Sequence, residues 1–131
     1  MKKILAPALL LLAATTGANA SDWLYIGEDQ NTEVHVDADK IQYANKSLNQ
    51  RTAWVKVKYK RPDPLYKVGE YTLANQIIDC NRDKFSVSRV IAYYANGQMK
   101  AQTPMSTGWM DIPPDSNFDY VAATVCTYPH I

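Results

Sequence analysis

Between residues 52 and 60 the side chains alternate. Ala53, Val55, Val57 and Tyr59 share one face; Trp54, Lys56, Lys58 and Lys60 share the other. Period two with one polar face predicts a half-buried antiparallel strand. Arg61-Pro62-Asp63-Pro64 ends it, because proline cannot donate to a ladder. Residues 23–26 and 33–37 are shorter strands, the second with Val34 and Val36 on one face. Residues 37–41 suit a turn or one helical turn, and 45–50 a polar loop. Residues 71–80 fit two periods: Leu73, Ile77 and Ile78 suit a helix, whereas the short length and the preceding Gly69 suit a strand, the reading favoured here. Residues 85–94 are β-rich, but their alternation slips near Arg89, as at a bulge. Asn96-Gly97 then predicts a hairpin with a type I′ turn and a returning strand at 98–103. Residues 104–114 read as a loop.

The period changes after Pro113-Pro114-Asp115-Ser116. Phe118, Val121, Ala122 and Val125 recur at i, i+3, i+4 and i+7, the apolar stripe of a helix. Asp115 or Ser116 suits the N-cap, and Asp119 completes a partial capping box. Cys126 lies close to the apolar stripe.

Composition adds a compartment. Lys2 and Lys3 precede an apolar run over residues 4–14, and Ala18-Asn19-Ala20 is a small-x-small cleavage site. Residues 1–20 therefore read as a secretory signal and residues 21–131 as one domain. No segment reaches the roughly 20 apolar residues that a membrane span needs. No cysteine stands at the cleavage site to take a lipid anchor, so the expected location is the periplasm, the medium or the cell surface. Cys80 and Cys126 are the only cysteines. An even count in an exported chain predicts one disulfide. It would dock the helix onto the strand ending at Cys80. The fold class that follows is α+β: a small antiparallel sheet of about five to six strands, one C-terminal helix packed on it, and one disulfide. The chain carries 14 basic and 13 acidic residues. Near-neutral charge argues against nucleic acid as a partner.

No catalytic constellation, metal set or cofactor motif emerges. His35 sits within a strand and His130 next to the terminus. Asp37-x-Asp39 lacks the glycine and closing glutamate of a calcium loop, so it reads as a turn. Enzymatic activity is not expected. The surface feature that stands out is Trp54, Lys56, Lys58 and Lys60, an aromatic beside a lysine ladder that could grip an acidic protein surface. The plainer alternatives are an edge strand guarded by lysines, or a Trp covered by the helix with lysine stems around it.

An ordered set of residues resembles the surface-adhesin protein E family of Gram-negative bacteria. It comprises Trp54, Asp79-Cys80, Tyr93-Tyr94-Ala95-Asn96-Gly97, Trp109, Ile112-Pro113-Pro114-Asp115-Ser116 and Val125-Cys126. The resemblance implies an antiparallel sheet with a disulfide-tethered C-terminal helix. It also implies a non-enzymatic binding protein that engages host extracellular-matrix or plasma proteins and can form a homodimer. The alternative is a periplasmic inhibitor or envelope accessory protein that presents a loop, at residues 66–70 or 102–108.

Overall fold

The computed structural model describes residues 22–131; the secretory signal read at residues 1–20 lies outside them. Eight strands form one antiparallel sheet: β1 (Trp23–Glu28), β2 (Thr32–Asp37), β3 (Gln42–Asn45), β4 (Gln50–Tyr59), β5 (Tyr71–Asp79), β6 (Lys84–Tyr93), β7 (Met99–Pro104) and β8 (Met110–Asp111). One helix, α1 (Asn117–Thr127), follows. The α+β expectation holds, with more strands than the five or six anticipated.

The main path runs β1-β2-β4-β5-β6-β7. The two ten-residue strands, β4 and β6, are each too long for a single short neighbour. Along β4, β2 pairs with residues 55–59 and β3 with residues 50–52. Between them the chain makes a 3-10 turn, Ala38–Lys40, whose entry is capped by Asp37 accepting from the Asp39 amide at 3.1 Å. The Asp37-x-Asp39 pair thus serves its own backbone. Along β6, β7 pairs with residues 89–93 and β8 with Lys84 and Phe85.

Four local features differ from or refine the sequence reading. Residues 71–79 are a strand, paired along their whole length with β4 and β6. The slip near Arg89 is a bulge: Asn75 pairs with Arg89 and Gln76 with Val87, leaving Ser88 unpaired. The hairpin turn is not type I′. The Gly97 amide donates to the Tyr94 carbonyl at 3.0 Å, and only Gly97 has positive φ, +90°. This is a type I turn over Ala95 and Asn96 followed by a left-handed glycine, the three-residue hairpin solution. Residues 104–114 are not all loop, since β8 lies within them.

The core sits between α1 and one face of the sheet. Val34, Val36, Ala53, Val55, Ile78 and Phe85 meet Val121, Ala122 and Val125. Helix α1 starts where expected: Ser116 accepts from the Asp119 amide at 3.2 Å, and Asp119 accepts in return from the Asp115 amide at 3.0 Å. Phe118 is only partly covered, stacking on Phe85 with ring centroids 4.9 Å apart.

Two contacts hold the helix's C-terminal end. Cys80 and Cys126 are disulfide-bonded, with Cα atoms 5.7 Å apart and a sequence separation of 46. Arg51, nearly buried, sends one guanidinium nitrogen to the carbonyls of Val125 (2.8 Å) and Tyr128 (3.1 Å). Its other groups reach the Tyr43 hydroxyl and Asn49. A cation on the last carbonyls of a helix satisfies orphan acceptors and opposes the negative end of the dipole.

Two variants separate these contacts. Replacing both cysteines by serine should lower the unfolding free energy by about 4 kcal/mol, and Arg51→Met by about 3 kcal/mol, both read by urea titration. Mass spectrometry of the unreduced exported protein should find no free thiol; two free thiols would undo the tether.

Candidate functional site

Helix α1 covers only the Ala53–Val55 face of β4. The alternate side chains point to the opposite face, where no helix packs among the described residues. Trp54, Lys56 and Lys58 therefore share an open sheet face. β4 is an interior strand, so its lysines do not guard an edge, and Trp54 does not lie under the helix. Lys60 departs from the group. It follows the end of β4 and forms an ion pair with Glu28, which also accepts from the Tyr25 hydroxyl at 2.7 Å. That pair draws Lys60 toward β1.

The register brings other strands' side chains to the same face. Lys56 lies opposite His35 on one side and Leu73 on the other; Leu73 in turn lies opposite Ile91. Trp54 lies opposite Asn75, and Asn75 opposite Arg89. A shallow depression is lined by Trp23, Trp54, Leu73, Ile91 and Tyr93 with Lys40 and Asp37 at its margin. A second, of about 300 Å³, is lined by Trp54, Asn75, Ser88 and Arg89.

Lys56 is the centre of this face. Its ammonium stands 4.5 Å from the Tyr71 ring centroid and 5.5 Å from that of Trp23. Tyr71 stacks on Tyr93 at 4.8 Å, with 14° between the planes. Burial, then the neighbouring Lys58, holds the Lys56 ammonium below its ordinary pKa. The ring faces offset part of that desolvation. Lys56, Lys58 and Arg89 have no ion-pair partner among the described residues.

The sequence placed Trp54, Lys56 and Lys58 on one face but missed Trp23, Tyr71, Leu73, Ile91 and Tyr93. Their alternation was present, yet residues 71–80 also fitted a helical period and the Ser88 bulge broke the phase of β6. No group of three or more His, Cys, Asp or Glu side chains converges among the described residues. None of the described helices is long and apolar enough to cross a membrane.

His35 lies on this same face, edge-on to Tyr25 at 5.5 Å, with its Nδ1 buried and without a hydrogen-bond partner among the described residues. Burial lowers its pKa; Glu33 opposes the shift, and Lys56 and Lys58 add to it. The unfolded chain therefore takes up this proton first. Stability should be fully present above the ordinary histidine value near about 6.5 and fall as pH drops below it toward the lowered folded value. Melting curves from pH 8 to 5 should show this loss in the native protein and a flatter profile in His35→Phe.

No curated protein and no solved structure matches the chain. The profile of the surface-adhesin protein E family matches residues 23–127, from the first residue of β1 to the last of α1. The chain belongs to the surface-adhesin protein E family.

Proposed function

We propose that this chain is an exported, non-enzymatic binding protein that engages a protein partner through the open face of its sheet. The observation that carries the reading is Lys56, held between Trp23 and Tyr71 on a face of aromatic and aliphatic side chains that nothing among the described residues covers. Aromatic anchors around a desolvated cation are the composition of binding hot spots. Unpaired Lys58 and Arg89 at the margin favour an acidic partner surface and speed its approach. Family membership supports adhesion, and a host extracellular-matrix or plasma protein fits as the partner. A homodimer through the same face is the competing occupant.

A second reading has its own observation. The segment between β4 and β5 presents Leu65, 74% exposed, and Val68, 57% exposed. It is braced from within. Asp63 accepts from the Leu65 and Tyr66 amides, both at 2.7 Å, and Tyr66 stacks on Tyr59 at 4.5 Å. Lys100 bridges the Leu65 carbonyl at 3.1 Å and the buried Glu70 carboxylate at 2.7 Å. That ion pair holds Glu70 below the ordinary carboxylate range. A firm loop with an apolar tip suits an inhibitor or envelope accessory protein.

Binding assays against matrix and plasma proteins distinguish these. On the first reading Trp54→Ala costs about 2 kcal/mol of binding, Lys56→Glu abolishes it, and Leu65→Asp leaves it unchanged. The reverse pattern selects the loop. Intact-cell labelling with fractionation tests display: protein found only in soluble periplasm rules out adhesion by the cell. Sedimentation of Trp54→Ala alongside the native chain shows whether a second copy occupies the face.

A further inference from the structure

The helix side of the sheet holds a cavity of about 210 Å³ between the N-terminal turns of α1 and strands β2, β4 and β5. Val34, Val55, Val57, Val121 and Phe118 form its apolar wall. One wall residue does not belong with the others. Gln76, on β5, lies opposite Ala53 on one side and Val87 on the other, in a row otherwise given to the core. It is 4% exposed and lines the cavity. Its amide makes no hydrogen bond to protein among the described residues. Unlike the His35 Nδ1, it is not sealed off but opens onto the cavity.

A buried amide without a partner is costly, whereas a leucine of similar size would strengthen the core there. The site is also without a cation, and the one carboxylate at its mouth, Asp29, is engaged through a single oxygen, Oδ1, which accepts from the Asn31 and Thr32 amides at 2.7 and 2.8 Å and from the Thr32 hydroxyl. Volume limits the occupant further. A dry apolar cavity of about 150 Å³ takes one benzene ring, so this one admits one ring or two small fused rings. The Phe118 ring, stacked on Phe85, offers an aromatic wall.

We propose that this cavity binds a small, neutral aromatic compound carrying a single N–H or O–H donor, of indole or phenol size. The ring lies against the valines and Phe118, and its donor pairs with the Gln76 amide oxygen. The site is on the opposite side of the sheet from Trp54 and Lys56, so it stands whether or not that face binds a protein.

Heteronuclear NMR of the oxidised protein tests this, with indole and indene as probes. The two share a shape, but indene lacks the N–H. Indole should give saturable shifts at Val34, Val55, Gln76 and Val121. Indene should bind about five- to tenfold more weakly, the difference one neutral hydrogen bond makes. Gln76→Leu should erase that preference while raising the melting temperature. Shifts that do not saturate, shifts confined to the Trp54 face, equal binding of both probes by the native chain, or a preference that survives in Gln76→Leu would each overturn the proposal.

Discussion

The fold depends on how the C-terminal end of α1 is fastened to the sheet. An eleven-residue helix is marginal alone, and its buried stripe of Val121, Ala122 and Val125 is short. Arg51 places a cation on its final carbonyls from inside β4, and the disulfide joins its last turn to the end of β5. The two act differently. The disulfide chiefly restricts the unfolded chain, whereas Arg51 gives the Val125 carbonyl a charged donor beside the Tyr128 amide and supplies one to the Tyr128 carbonyl. Asp79, next to Cys80, anchors the same corner by accepting from Gln50 and from the Arg82 amide, each at 3.1 Å.

Fastening one helix to one side of a wide sheet makes the two faces unequal. The covered face is a core of β-branched side chains with a small recess under the helix's first turns. The uncovered face keeps Trp23, Trp54, Tyr71 and Tyr93 partly accessible, with cations among them. A tethered sheet presents such a face with little ordering cost on binding, which is where much of the free energy of association is usually lost. The closed side supplies rigidity, and the open side is the face proposed above to meet a partner.

Much of the fold was legible because its signals are local. The stripe from Phe118 to Val125 marked the helix, Asp115 or Ser116 its start, and the alternation from Ala53 to Tyr59 marked β4. The break near Arg89 also showed, since a bulge interrupts the side-chain phase within its own strand. Features needing two distant segments were not legible. Nothing in the sequence singles out Arg51, because the helix-end carbonyls it meets lie more than 70 positions away. β8 has two residues and exists only by pairing with β6. The left-handed glycine in place of a type I′ turn reflects the register between β6 and β7, which Asn-Gly does not specify by itself.

The candidate face divides in the same way. Sequence alone determined that Trp54, Lys56 and Lys58 share one side of a strand, since alternation is a property of the extended backbone. It determined that two cysteines lie where a helix and a strand end. Only the tertiary structure decided that β4 is interior, that its polar side faces away from the helix, and that Lys60 turns aside to Glu28. Only it set Trp23 and Tyr71 on either side of Lys56, and Gln76 among valines. Those placements come from strand order and register, and these are set by which side chains from several segments can be buried together.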